Sequence, residues 1–121
     1  MIRMMMIDDD ESILENTLQL LEFAGYRVSG IDEGQKALQA IEDLQPDLIL
    51  LDLKMRYFNG YDVMDAINER PWLQHIPVVI ISAYADNRSI ERSRRAGAVD
   101  YIVKPFTEDD LHGALSNILE H

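Results

Sequence analysis

With 121 residues, 47% of them hydrophobic, the chain can build one ordinary hydrophobic core and is too short for two domains of usual size, so we expect a single domain over residues 1–121. Its 22 acidic against 11 basic residues give a net charge of −11, which repels a phosphate backbone and argues against direct nucleic-acid binding by this domain. The chain has no cysteine for a thiolate metal site and no apolar run near the roughly 18 residues of a membrane span, so we predict a cytoplasmic protein without membrane association.

Five short β-type runs alternate with helical patterns along the chain. The predicted strands are Arg3–Ile7, Arg27–Ile31, Asp47–Leu51, Val78–Ile81 and Tyr101–Val103. This alternation implies crossover units and a parallel sheet, so the predicted fold class is α/β, a doubly wound five-stranded (βα)₅ sheet. Residues 48–51 and 78–81 are continuously apolar, as strands buried on both faces require, and we expect these two strands to be central.

Four of the five helical segments carry apolar residues at three- and four-residue steps, which predicts amphipathic helices that cover the sheet. The fourth helix, around Asn87–Ala96, has few apolar residues and is expected to be lightly packed. Its arginines could form a basic docking stripe, although a solvated face is the favoured interpretation. Gly25 and Gly97 are placed to end helices, and Asp32 and Thr107 to cap helix starts.

Polar residues occupy the positions where the predicted strands end. They are Asp8, Asp9 and Asp10 after the first strand, Asp52 after the third, Ser82 after the fourth and Lys104 after the fifth. In open α/β sheets ligands bind outside the carboxyl ends of the strands, so these side chains should share one rim. Crowded carboxylates repel one another unless a cation neutralises them, and oxygen ligands suit Mg²⁺. We assign Asp10 and Glu11 to the first turn of the following helix instead, where acidic residues are favoured.

Four motifs resemble those of the response-regulator receiver domain of two-component signal transduction, also called the CheY-like superfamily. They are I-D-D-D-E at residues 7–11, L-L-D-L-K-M at 50–55 with Gly60 following, I-I-S-A at 80–83 and K-P-F at 104–106. The resemblance runs from about Arg3 to Ile118, and it includes the spacing from Asp52 to the later site residues. It implies a flavodoxin-like strand order of 2-1-3-4-5.

The resemblance implies a function for the acidic rim. Asp52 would be the nucleophile that takes a phosphoryl group from a sensor histidine kinase or a phosphotransfer protein. Asp9, Asp52 and the backbone carbonyl of Lys54 would bind Mg²⁺, and Asp8 would hold a metal-bound water. Such a domain catalyses only its own aspartyl phosphorylation and dephosphorylation and is not otherwise an enzyme.

The resemblance also implies a switch. Ser82 and Lys104 would contact phosphoryl oxygens, and Tyr101 would change position when the serine hydroxyl moves towards the phosphate. The surface formed by the fourth helix, the fifth strand and the fifth helix would then change, either for a partner or as a homodimer interface. The Lys104–Pro105 bond is similar to the cis peptide of the family. Lys54 and Tyr84, each two residues beyond a site residue, are expected to shield the phosphate from water and slow its hydrolysis.

The sequence departs from the family pattern in three places. Arg56 stands where a proline is usual, which removes a rigid φ and adds a charge near the phosphate, so the loop is expected to be less ordered. Ser82 replaces the commoner threonine and keeps the hydroxyl. The chain also stops after the last helix without an output module, and residues 119–121 could be the remnant of a cloning tag.

Two other functions fit parts of the sequence. The Asp-x-Asp-x-Ser run at residues 8–12 fits the outline of a haloacid-dehalogenase-type phosphatase, an enzyme that would hydrolyse phosphate monoesters. That hypothesis needs the pair at residues 109–110, which opens a helix, and it leaves Asp52 without a role. A receiver that serves as a docking module without being phosphorylated is a third possibility, supported only by Arg56.

Overall fold

The computed structural model describes residues 2–119, and within them five β-strands alternate with five α-helices. Their order is β1 Arg3–Ile7, α1 Glu11–Phe23, β2 Arg27–Ile31, α2 Gly34–Leu44, β3 Leu48–Asp52, α3 Gly60–Asn68, β4 Val78–Ser82, α4 Asn87–Arg95, β5 Asp100–Val103 and α5 Glu108–Leu119, with a 3₁₀ turn at Pro71–Leu73. Leu119 ends α5, whereas residues 120–121 of the predicted tag remnant lie outside the described residues. No helix within residues 2–119 is long and apolar enough to cross a membrane.

The five strands form one parallel sheet in the order β2-β1-β3-β4-β5, which confirms the predicted fold class and strand order. The two continuously apolar strands, β3 and β4, are both interior, as expected, and every residue in them is buried. The strand register positions the functional rim. Ile7 pairs with Leu51, so Asp8 and Asp52 follow side by side, and Ser82 pairs with Val103, the residue before Lys104.

Successive strand residues point to opposite faces, so the sheet has a separate core on each side. One core combines Met5, Ile7, Ile49, Leu51 and Ile80 with Ala37 and Ile41 of α2 and Val63, Met64 and Ile67 of α3. The other combines Met4, Met6, Leu48, Leu50, Val79 and Ile81 with Leu14 and Leu21 of α1 and Leu111 and Leu115 of α5. Burying each of these larger side chains stabilises the fold by about 1.5–3 kcal/mol, so the two cores hold the polar rim rigidly.

The helix ends agree with the predicted signals except at α2. Gly25 and Gly97 adopt left-handed φ values of 99° and 107°, each directly after the C-cap residue of α1 or α4. Thr107 caps α5 through reciprocal hydrogen bonds with Asp110 of 3.0 and 2.9 Å. The prediction that Asp32 caps α2 is wrong: that helix begins at Gly34 with Glu33 as its N-cap residue and no side-chain hydrogen bond, so Asp32 lies one residue too early. In α4 only Ser93 is buried, which confirms the light packing.

Candidate functional site

Three carboxylates meet at the carboxyl ends of β1 and β3. Asp8, Asp9 and Asp52 each offer an oxygen that lies within 4.8 Å of the others. Asp8 is fully buried and Asp52 is 5% exposed, while Asp9 is half-buried at the rim. Three clustered carboxylate oxygens with one side open are a donor set that suits Mg²⁺, which keeps several waters and takes few protein ligands. The residues therefore fit a magnesium ion.

The Lys104 ammonium provides the positive charge closest to these carboxylates. Its Nζ donates a hydrogen bond of 2.9 Å to Asp8 Oδ2 and lies 3.5 Å from Asp52 Oδ2. The backbone N–H of Lys104 donates to the carbonyl of Ser82 at 2.8 Å, which fixes the end of β5, and the following bond to Pro105 is cis as expected. Two buried carboxylates thus share one ammonium group.

Backbone donors complete the contacts of the two buried carboxylates. Asp8 Oδ1 accepts a 3.0 Å hydrogen bond from the Asp10 N–H, and Asp52 Oδ1 accepts a 3.3 Å bond from the Lys54 N–H. Burial and the adjacent charge of Asp8 raise the pKa of Asp52 to about 6, and Lys104 and the Lys54 N–H only partly oppose them. Although burial lowers the pKa of Lys104, its hydrogen bond to Asp8 and the charge of Asp52 raise it overall. Lys104 therefore only partly offsets the negative charge of the two buried carboxylates.

Ser82 and Tyr101 are connected through the backbone of Tyr84. The fully buried Ser82 Oγ accepts a 3.1 Å hydrogen bond from the Tyr84 N–H, and the Tyr101 hydroxyl donates to the Tyr84 carbonyl at 2.7 Å. The Tyr101 ring is half-buried against the core on the α2 and α3 side. Burial raises the pKa of the Tyr101 hydroxyl, although the nearby Ser82 hydroxyl acts in the opposite direction. A displacement of the serine hydroxyl would therefore alter its hydrogen bond with Tyr84 and, through the Tyr84 backbone, the contact with Tyr101.

An open cleft of about 420 Å³ leads to Asp52. Asp9, Lys54, Tyr84 and Lys104 are among the residues that line it. The side chains of Lys54 and Tyr84 are exposed, Tyr84 by 45%, so both can border the path of a ligand or a water molecule to Asp52.

The remaining acidic residues of the predicted motifs have local structural roles. Asp10 is the N-cap of α1, and its carboxylate accepts hydrogen bonds from the Ser12 and Ile13 N–H groups at 3.0 and 3.1 Å. This agrees with its assignment to a helix start and separates it from the three clustered carboxylates. Asp110 likewise caps α5, so the carboxylate pair that a phosphatase would need belongs to a helix terminus.

Sequence reasoning missed a contact of Arg56. Its backbone N–H donates to Asp9 Oδ2 at 3.0 Å, and its side-chain Nε lies 3.8 Å from the same oxygen. The loop is joined to the start of α3 by a hydrogen bond from the Gly60 N–H to the Leu53 carbonyl at 3.0 Å, and the expectation of a less ordered loop stays a prediction. A Cβ at Gly60 would lie 2.5 Å from the Asp52 carbonyl oxygen, so this close approach requires glycine. The only available signal was that a residue other than proline keeps an N–H donor.

The comparisons with known proteins agree on one protein family. A family model described as response regulator receiver domain matches residues 4–116. The DNA-binding response regulator MtrA of Mycobacterium tuberculosis is 35% identical over 109 residues, which cover 90% of this chain and 46% of MtrA. The transcriptional regulatory protein PdtaR of the same species is 34% identical over 115 residues, 93% of this chain and 55% of PdtaR. The chain thus spans about half the length of these curated relatives.

Solved structures agree with the sequence relatives. A putative response regulator from Chloroflexus aurantiacus J-10-fl superposes with a TM-score of 0.92 at 29% identity, covering 98% of both chains. A response regulator receiver domain protein (CheY-like) from Methanospirillum hungatei JF-1 gives a TM-score of 0.88 at 31% identity, over 99% of this chain and 94% of that one.

Because Lys104 only partly offsets the cost of a buried negative charge at Asp52, we predict that a neutral residue at this position stabilises the fold. The raised pKa means that folding favours the protonated carboxyl, so this contribution to stability is present below about pH 4 and is lost as the pH rises through about 6. In metal-free buffer at pH 7 we expect Asp52→Asn to raise the free energy of unfolding by about 1–3 kcal/mol, with a gain that shrinks towards pH 4. Urea unfolding across this pH range measures the effect, with the exposed Asp65→Asn as the control for a lost charge. An Asp52→Asn variant no more stable than wild type at pH 7 would contradict the analysis.

Proposed function

Because the chain belongs to the response regulator receiver family, we propose that it is a Mg²⁺-dependent phosphoacceptor whose Asp52 takes a phosphoryl group from a sensor histidine kinase or a phosphotransfer protein. The observation that supports this most is the cluster of Asp8, Asp9 and Asp52. The Lys104 ammonium contacts Asp8 and lies 3.5 Å from Asp52, and Asp9, Asp52 and Lys104 line an open cleft. A phosphodonor can reach Asp52 through this cleft, and the negative charge around Asp52 is large enough to attract a further cation.

Asp52 is the proposed nucleophile. One of its carboxylate oxygens attacks the phosphorus of the donor, and an acyl phosphate bond forms as the bond from phosphorus to the donor atom breaks. The reaction needs the ionised carboxyl, and a pKa of about 6 leaves most Asp52 ionised at neutral pH. A donor would approach Asp52 through the open cleft, and the transfer requires its leaving group to lie in line with the attacking oxygen.

Asp9, Asp52 and the Lys54 carbonyl would hold the Mg²⁺, with Asp8 contributing through a bound water. The bound ion would offset the charge of the incoming phosphoryl group. Lys104, shared between Asp8 and Asp52 in the unphosphorylated protein, can pair with a phosphoryl oxygen without moving far, because its Nζ is already 3.5 Å from Asp52 Oδ2. The fully buried Ser82 hydroxyl is the proposed donor to a second phosphoryl oxygen.

Phosphorylation is proposed to change the surface formed by α4, β5 and α5. Ser82 Oγ accepts from the Tyr84 N–H, and the Tyr84 carbonyl accepts from the Tyr101 hydroxyl, so two hydrogen bonds connect Ser82, the proposed partner of the phosphate, to β5. The light packing of α4, in which only Ser93 is buried, would allow this helix to be displaced at low cost. The altered surface would serve a partner or a second copy of the chain.

The output of the whole protein is a separate question from the action of this domain. MtrA is described as DNA-binding, and about half of its length lies outside the matched region. With a net charge of −11, this domain is proposed not to contact nucleic acid itself. It is proposed to catalyse no reaction beyond its own phosphorylation and dephosphorylation, and its location in the cytoplasm stays a prediction.

Treatment with acetyl phosphate and Mg²⁺ tests the phosphoacceptor function. We expect intact-mass spectrometry to show one added phosphoryl group and peptide mapping to place it on Asp52, the cleft-lining carboxylate that lies 3.5 Å from the Lys104 ammonium. Asp52→Asn and Asp9→Asn should abolish the modification, and chelation of divalent metal should suppress it. Asp10→Asn is the matched control: asparagine caps a helix as well as aspartate, so this variant should keep most of the rate.

Modification at another residue, or an unchanged rate after chelation, would contradict the proposed site. Absence of any modification would favour the docking module that works without phosphorylation. Hydrolysis of a generic phosphate monoester would favour the phosphatase hypothesis.

The switch is tested by amide hydrogen exchange with and without phosphodonor. We expect exchange to change in α4, Asn87–Arg95, and in β5, Asp100–Val103, because the Tyr84 backbone links Ser82 to Tyr101. Tyr101→Phe removes the hydroxyl that binds the Tyr84 carbonyl and should weaken this response while Asp52 is still phosphorylated. Asp52→Asn with the same donor is the control. Changes confined to the loop after Asp52 would rule the switch out.

The lifetime of the phosphate tests the proposed shielding by Lys54 and Tyr84, which both line the cleft. Hydrolysis needs a water in line with the leaving carboxylate oxygen, so the combined substitution Lys54→Asn with Tyr84→Ala should open that path. We expect the lifetime to shorten about tenfold if each side chain contributes some 0.7 kcal/mol of barrier. The decay is followed by mass spectrometry at saturating Mg²⁺.

The matched control for the lifetime combines Phe23→Ala with Arg27→Asn. Phe23 ends α1 and Arg27 begins β2, so both exposed side chains lie at the opposite end of the sheet from Asp52. Its lifetime should equal that of wild type. A lifetime in the Lys54 and Tyr84 variant that is unchanged or longer would mean that other residues control water access.

A further inference from the structure

Arg56 makes two contacts with the same oxygen of Asp9. The backbone N–H donates a 3.0 Å hydrogen bond to Asp9 Oδ2, and the guanidinium Nε lies 3.8 Å from that atom. The Arg56 side chain is 82% exposed and the Asp9 side chain 23% exposed. A proline at position 56 would supply neither contact, because it has no N–H and no charge.

The backbone that follows Arg56 is held in place by the contacts of Tyr57 and Phe58, which helps to fix the direction of the Arg56 N–H. Tyr57 adopts a left-handed φ of 68°, and around it the Phe58 N–H donates to the Arg56 carbonyl at 2.8 Å. The Phe58 carbonyl packs on the start of α2, where a Cβ at Gly34 would lie only 2.0 Å from its oxygen. A left-handed tyrosine persists only where its surroundings determine the backbone, as these contacts do.

The charge of Arg56 lies where it would repel a metal ion bound to Asp9. Asp9 is one of the three clustered carboxylates, and its Oδ2 already accepts a hydrogen bond and faces a positive charge. A divalent cation that binds Asp9 must contact Oδ2 or the other carboxylate oxygen. Because it carries two charges, the guanidinium repels it about twice as strongly as it would repel a monovalent cation. The contact between Arg56 and Asp9 and the binding of a divalent cation therefore oppose each other.

We propose that Arg56 is an internal cation that competes with Mg²⁺ for Asp9 and so sets the metal affinity of the site. This inference rests on the proposed function in taking Asp9 as a metal ligand. Since linkage is reciprocal, a bound metal weakens the Arg56 contact to the same extent that the contact weakens metal binding. Arg56 thus acts on the site through Asp9 and is a positioning residue of the metal site.

Calorimetric titration of the full chain with MgCl₂ at low ionic strength tests the proposal. We expect Arg56→Ala to bind Mg²⁺ about three- to tenfold more tightly than wild type, because one charge near the ion is lost. Arg56→Lys keeps the charge and should bind like wild type, whereas Arg56→Pro loses the N–H as well and should bind at least as tightly as Arg56→Ala. Arg88→Ala, which removes an exposed arginine of α4, is the matched control for net charge and should bind like wild type.

Salt dependence separates the charge of Arg56 from a structural role. At about 1 M KCl the screening length falls to roughly 3 Å, so the advantage of Arg56→Ala over wild type should largely disappear. Equal or weaker binding by Arg56→Ala at low salt, or an advantage that persists unchanged at high salt, would overturn the proposal while the metal site itself stands. Wild-type protein that binds no Mg²⁺ would instead overturn the proposed function.

Discussion

The Lys104 ammonium is shared by two buried carboxylates, so one positive charge faces two negative ones. The chemistry of the rim depends on this excess of negative charge. With Nζ 2.9 Å from Asp8 and 3.5 Å from Asp52, Lys104 cannot neutralise both groups. Asp9 adds a third negative charge, which faces the exposed guanidinium of Arg56 at 3.8 Å. A buried ion pair stabilises a protein only where its geometry and partners offset the cost of removing both charges from water. Here that cost is not fully offset, as the raised pKa of Asp52 shows. The same imbalance would favour a divalent cation and, once that ion is bound, a phosphoryl group.

The sheet holds these groups together against their repulsion. Strands β1 and β3 are parallel neighbours in register, so Asp8 and Asp52 leave the sheet side by side, and two cores hold the strands from opposite faces. Two hydrophobic layers can stabilise an unfavourable polar edge because each buries many large side chains. Strain at a functional site is commonly offset by the rest of the fold in this way.

The sequence predicted the elements and the rim better than it predicted contacts between loops. The apolar runs of β3 and β4 and the residues that follow them indicated the sheet and the location of Asp52, and the structure agrees within one residue at the strand ends. The α2 cap was mispredicted at Asp32, because a capping side chain must occupy one position of the turn and the sequence does not reveal where the turn begins. The contact between Arg56 and Asp9 joins residues 47 apart, and no local pattern encodes it. The roles of the individual site residues came from the resemblance to the receiver family and stay predictions.

The charge imbalance at Asp52 is most directly measured by a ¹³C NMR titration of its carboxyl carbon with and without Mg²⁺. We expect a pKa of about 6 in metal-free protein, set by burial and Asp8, and a fall below the ordinary value of 3.8 when the site is saturated with Mg²⁺. An ordinary pKa in metal-free protein, or a raised pKa that saturating Mg²⁺ does not change, would contradict the account of the rim as a cluster of carboxylates that lacks one cation.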